Sequence, residues 1–227
     1  FKQLHYTGFP NLIIQMKGGQ INTSNTAAFG DIISYGNAGN YEFVTISAIN
    51  GNEIHFVNSL LHTYEYQEAV QLITVPQYSD VTVTGGFTCP AWDGTTGGVI
   101  VFEASGSVAM NGDIDASEKG FRLGQYTMGS GICNYYDYAV ASSTALAGFK
   151  GEGIVTYTSN LDAGRGKLAN GGGGGTSHNA GGAGGGRAGH GGDGGEAWPG
   201  QGCTSTASTG GVGGVAWNNL TGKRLWL

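Results

Sequence analysis

Between residues 171 and 195 the chain is built largely of glycine, and this tract limits the available folds more than any other feature. Gly171 through Gly175 run unbroken; Gly181-Gly182-Ala183-Gly184-Gly185-Gly186 follows, then Gly189, Gly191-Gly192 and Gly194-Gly195. Glycine costs a helix about 1 kcal/mol per position relative to alanine, so the tract is not helical. A three-residue period runs through Gly186, Gly189, Gly192 and Gly195. Collagen shares that period but is rich in proline, and Pro199 is the only proline in this part of the chain. A flexible linker is the plain alternative. The favoured reading is a bundle of polyglycine-II strands: extended, three residues per turn, with no hydrogen bonds inside a strand. Such strands approach closely enough for N–H and C=O groups to pair between neighbours, which matters because unpaired buried backbone is costly. Thr176, His178, Asn179, Arg187, His190 and Asp193 then fall at turns or on the outer face.

The rest of the chain has the means to fold. Of 227 residues, 39% are hydrophobic, 11% aromatic and only 11% charged, which is unlike the low-hydrophobicity, high-charge make-up of disordered chains. Apolar spacing at helical intervals is sustained nowhere, and Gly30 and the β-branched residues argue against a helix over Ala27 to Tyr35. The expected fold class is all-β, in three stretches. Residues 1–84 read as a small β-sandwich or barrel-like module with strands at Asn11 to Met16, Tyr41 to Ile49, Glu53 to Val57 and Ala69 to Val75. Asn50-Gly51-Asn52 is a hairpin signal between two of them. Residues 85–163 read as a short-stranded region with an inserted loop. Its strands, Val99 to Ala104, Val108 to Met110 and Asp113 to Asp115, continue the rhythm of Val81 to Thr84 between Gly-containing turns. That rhythm suits a meander or the rungs of a parallel β-helix. Residues 164–227 are the glycine-rich region.

A net charge of −6 with only ten Lys and Arg gives no basic footprint, so nucleic acid is not expected as a partner. Runs such as Leu12-Ile13-Ile14 and Val99 to Phe102 are far shorter than the ~20 residues that cross a bilayer, so no transmembrane segment is expected. The chain opens at Phe1 without Met and closes on Arg224-Leu225-Trp226-Leu227; a processed front and a continuation at the back are expected. Cys89, Cys133 and Cys203 show no CxxC spacing. One disulfide with a leftover thiol and three thiols both fit, with Cys133–Cys203 the preferred pair because both lie in polar excursions.

No catalytic constellation stands out. Asp80, Asp93, Glu103, Asp113 and Asp115 are the carboxylates a glycan-cleaving groove could use, but their spacing selects no pair, and the expectation is a protein that is not an enzyme. Asn111, Asp113, Asp115 and Ser117 alternate and could share a strand face that holds Ca²⁺; a solvated turn is the simpler reading, and no cofactor is expected. Gly166-Lys167 lacks the rest of a phosphate loop. Tyr135, Tyr136 and Tyr138, with Trp198, mix rings with polar neighbours and form the expected contact surface for glycans or proteins; a loop packed on the β-core is the alternative.

Three further segments form a pattern: Leu12 to Gly18 with Ile21 to Thr26 and Tyr35 to Glu42; Val70 to Tyr78; and Ala91 to Val99 with Ile114 to Ser117 and Lys119 to Arg122. Followed by the glycine tract, this set resembles the amino-terminal part of adhesin-like substrates of the type 9 secretion system in Bacteroidota, including gliding-motility adhesins. The resemblance implies export through the outer-membrane translocon, display on the cell surface, and a structural or adhesive role with surface glycans or other surface proteins as partners. It carries over no catalytic residue. The sorting domain that such substrates carry at the carboxy terminus is not present, in keeping with an expected continuation.

Overall fold

The computed structural model describes residues 7–127, 133, 135–156, 159–198 and 209–217. The chain is all-β. The described residues form ten strands: β1 (Pro10–Gln15), β2 (Gln20–Ile21), β3 (Ile32–Ser34), β4 (Tyr41–Asn50), β5 (Glu53–Phe56), β6 (Val70–Thr74), β7 (Gln77–Tyr78), β8 (Val81–Val83), β9 (Glu103–Ala104) and β10 (Val108–Met110). Helical structure among the described residues is limited to two single 3-10 turns, Tyr66–Glu68 and Ser142–Thr144.

Contacts gather the chain into two compact units that do not follow the consecutive stretches 1–84, 85–163 and 164–227. The first holds the described residues up to Met16 together with Gly39–Gly120; the second holds Lys17–Ala38 and the described residues from Phe121 onward. Residues 17–38 belong with distant sequence because the amides of Gly18 and Gly19 both donate to the Ile154 carbonyl, at 2.9 and 3.0 Å.

In the first unit a four-stranded antiparallel sheet has the order β5-β4-β1-β6. β1 is an apolar run at the centre of the sheet, and Leu12, Ile13 and Ile14 are all buried, so both of its faces are covered. Its polar ends are buried and satisfied: the Thr74 hydroxyl donates to Asn11 Oδ1 at 3.2 Å, and the Glu65 amide to Gln15 Oε1 at 2.8 Å. The Asn50-Gly51-Asn52 signal makes the β4–β5 hairpin, with Asn50 opposite Glu53. Gly51 takes φ +63° at the first central position, the requirement of a type II′ turn.

The remainder of this unit pairs in parallel. Gln77 lies opposite Glu103, Val81 opposite Val108 and Phe87 opposite Ile114, so each residue meets one 26 or 27 positions further along. The Trp92 amide continues the pattern by donating to the Lys119 carbonyl at 2.9 Å. These pairs are not hairpins, since parallel neighbours need a long connection. Asp80 adds a contact across that connection by accepting from the Ser107 amide and hydroxyl at 2.8 and 2.7 Å.

The second unit is held by backbone. Its glycine segments are not classed as strands, yet they are closely paired. Along residues 148–152 successive amides point to three different neighbours. Gly148 and Gly151 donate to Gly175 and Gly172, Phe149 and Glu152 to Gln125 and Arg122, and Lys150 to Asp162. The same step of three recurs along the tract. Gly181 and Gly184 donate to Gly195 and Gly192, Gly191 and Gly194 to Gly214 and Gly211, and Gly211 and Gly214 to Gly181 and Gly184. None of the described glycines from 171 to 195 has a left-handed φ. Glycine is needed here for close approach: a Cβ on Gly173, Gly174, Gly191, Gly194, Gly211 or Gly213 would lie under 3.0 Å from a neighbouring carbonyl oxygen. A small apolar cluster of Ala38, Ile154, Val155 and Ala169 closes one part of the unit, with Tyr35 and Trp217 meeting edge-on at 5.0 Å between ring centres.

Candidate functional site

Two features of the second unit bring side chains together. One is a groove of about 440 Å³. It is lined by residues 124–127, 146–149, 174–180 and 182, and within that lining the Gly148 amide donates to the Gly175 carbonyl at 2.8 Å. Two hydroxyls that line it are spent on structure: Thr127 donates to the Ala147 carbonyl at 3.0 Å and Ser177 to the Tyr135 carbonyl at 3.1 Å. Tyr126 is among the lining residues, with 83% of its surface exposed.

The other is a pair of buried charges on one segment. Lys150 is 1% exposed. Its ammonium donates to the carbonyls of Tyr138, Gly164 (3.2 Å) and Gly166 (2.9 Å) and lies 4.5 Å from the centre of the Phe29 ring. Burial lowers its pKa to about 7, with the charge of Asp162 acting the other way. Glu152 is 8% exposed. Arg122 grips it with Nε to Oε2 at 3.1 Å and Nη2 to Oε1 at 2.7 Å, and Lys17 Nζ lies 3.5 Å from Oε1. Burial alone would raise its pKa; the Arg122 hydrogen bonds and the charges of Lys17 and Arg122 outweigh that and bring it to about 2. Both groups are structural pins that hold glycine segments together.

The acid response of this unit follows from Glu152. Its carboxyl titrates near 4.5 when unfolded and near 2 when folded, so the unfolded state takes up the proton first and stability falls as pH drops through that window. Urea midpoints between about pH 5 and 2 should decline more steeply for the native chain than for Glu152→Gln.

The expected contact residues are placed as follows. Tyr135, Tyr136 and Tyr138 are half-buried. The Tyr135 amide donates to Ser177 Oγ at 3.1 Å, and its phenol is raised to about 12 by burial and by Asp137. Tyr138 carries the Arg165 guanidinium 4.9 Å from its ring centre, and its amide donates to Asn25 Oδ1 at 2.7 Å. Trp198 is 62% exposed. Cys133 is disulfide-bonded; Cys203, its expected partner, lies outside the described residues. Cys89 is a buried free thiol, its pKa raised by burial.

Each candidate carboxylate of the first unit serves a turn or a contact between paired segments, or lies in solvent. Asp93 accepts from the amides of Thr95 and Thr96, both at 2.8 Å, and is held well below the usual carboxylate range by them. Glu103 accepts from Gln77 at 2.7 Å. Asn111, Asp113, Asp115 and Ser117 are exposed; Asp115 accepts from the Ser117 amide at 2.8 Å. Among the described residues no group of three or more His, Cys, Asp or Glu could hold a metal ion, and no helix is long and apolar enough to cross a membrane.

Sequence reasoning missed Lys150 and Glu152, and read Tyr126 as a loop aromatic outside the expected contact surface. The faint signal for the first two is Phe149-Lys150-Gly151-Glu152-Gly153-Ile154, opposite charges set between glycines and apolar residues. No family model matches the chain, and neither does a curated protein or a solved structure.

Proposed function

We propose that this chain is a stiff structural and adhesive segment of a large secreted cell-surface protein, exported through the type 9 secretion system, and that it performs no catalysis. The observation that carries the reading is the pairing of glycine amides at every third residue, with each segment bonded to several neighbours. We read this as a polyglycine-II bundle joined in sequence to a short β-helix-like stack, whose coils repeat every 26 or 27 residues, and to a small sheet module. Glycine segments paired in this way resist bending and offer proteases few free strands, properties suited to a stalk or tip outside the cell. The resemblance to adhesin-like export substrates supplies the setting, the translocon as a partner and the cell surface as the location.

Hydrogen exchange read by mass spectrometry and NMR tests the architecture. Amides of Gly148, Gly151, Gly173, Gly184, Gly194 and Gly211 should exchange slowly, because each donates to a carbonyl. Gly182, Gly185, Gly192 and Gly195 should exchange near the free rate. Uniform fast exchange across the tract would leave a flexible tether and remove the basis for a stiff segment. Surface labelling of cells with and without a working translocon tests export: label on the chain should vanish when the translocon is lost.

A further inference from the structure

We propose that the groove beside Tyr126 binds an uncharged oligosaccharide. The proposal rests on the adhesive reading and names what the adhesive face takes hold of. The groove volume of about 440 Å³ lies within the ~300–1,000 Å³ of small-ligand sites. Among the described residues no Asp, Glu, Lys or Arg lines it, so a charged ligand would lose its hydration there without gaining a counter-charge from them. Gln125, Tyr126, His178 and Asn179 line it and make no side-chain hydrogen bond to described residues, unlike Thr127 and Ser177. Asn179 sits in the left-handed region at φ 60°, in a turn closed by the Ala180 amide on the Ser177 carbonyl at 2.9 Å, which sets the backbone of this lining residue.

This combination fits a sugar ring. An exposed phenol offers a flat apolar face to sugar C–H groups and a polar tip to a hydroxyl. Two carboxamides and an imidazole both donate and accept, as vicinal hydroxyls require. A specific peptide strand is recognised instead through pockets for alternate side chains, and Gly148, Gly174 and Gly175 of this lining carry none. The amides of Gly148 and Gly174 are paired within the fold, so this part of the lining is formed before the ligand arrives, which limits the entropy lost on binding.

The test is calorimetric titration of the intact chain with neutral gluco-, xylo-, manno- and galacto-oligosaccharides, and with uronic and sulfated counterparts. At least one neutral series should bind, and Tyr126→Ala should weaken it by about tenfold or more without moving the urea midpoint, since Tyr126 is 83% exposed. Asn179→Gly, which suits the left-handed φ, should also weaken binding, whereas Trp198→Ala should leave it unchanged. Binding confined to charged glycans or to peptides, binding indifferent to Tyr126→Ala, or no binding at all would each overturn the proposal. Beads coated with the chain, tested on protein-coated and polysaccharide-coated surfaces, separate the two readings. Adhesion to protein with no neutral-glycan binding overturns the groove assignment alone; adhesion to neither surface removes the adhesive reading as well.

Discussion

Alanine at Gly173 or Gly211 is expected to destabilise the second unit by about 3 kcal/mol or more, against a total that for most domains is only about 5–15 kcal/mol. A Cβ on Gly173 would run into the backbone of Arg165 and Gly166, and one on Gly211 into Gly173 and Ala183. These obstacles are main-chain atoms already committed to hydrogen bonds, so no rotamer change relieves them and whole segments must separate. The control is Gly192→Ala in the same tract. A Cβ there meets nothing within 4 Å and the φ is ordinary, so the variant should be neutral or gain about 0.4–1 kcal/mol through a less flexible unfolded chain. Urea midpoints of the three variants decide the matter. Equal behaviour of Gly173→Ala and Gly192→Ala would mean that the tract is not packed as described.

Lys150→Met should cost about 2–5 kcal/mol. Methionine nearly matches the lysine stem but leaves the carbonyls of Tyr138, Gly164 and Gly166 without their shared donor, and the Phe29 ring loses its cation. The pH dependence separates this from a simple packing defect. Lys150 titrates near 7 when folded, below the ordinary 10.5. Between those values the unfolded state holds the extra proton, so the native chain should gain stability as pH rises through the window. At lower pH, with the amine charged in both states, the cost of burying that charge is felt in full. The Met variant has no such slope, and parallel curves for the two proteins would exclude Lys150 as the titrating group.

What could be read from the string, and what could not, follows from the range of the interactions. The β4–β5 hairpin was legible because Gly51 supplies the positive φ that its turn needs locally. Strand β1 was legible as an apolar run. The period through Gly186, Gly189 and Gly192 pointed to a spacing of three, while the amides that pair at that spacing are those of Gly181 and Gly184, Gly191 and Gly194, and Gly211 and Gly214. Residues 122–127 and 147–154 pair as the tract does, yet Leu123, Tyr126, Phe149 and Lys150 carry side chains that hide the step of three shown by Gly148 and Gly151. Antiparallel hairpins and parallel pairing both stayed open because Gly-containing turns serve either; the 26- or 27-residue offset between partners is a long-range fact that no turn residue reports. The burial of Lys150 depends on carbonyls 12 to 16 residues away, and a lone lysine in sequence looks solvated. The Tyr126 groove is assembled from three separate segments and leaves no motif behind.

The glycine segments also set how this molecule responds to temperature. Folding here hides amide groups in place of much apolar side-chain surface, and the two have opposite heat-capacity effects: apolar exposure raises the heat capacity of unfolding and polar exposure lowers it. The second unit should therefore fall short of the ~12–15 cal/mol/K per residue of ordinary domains. A smaller heat capacity flattens the curve of stability against temperature, so this part of the chain should hold nearly the same strength in cold water as in warm.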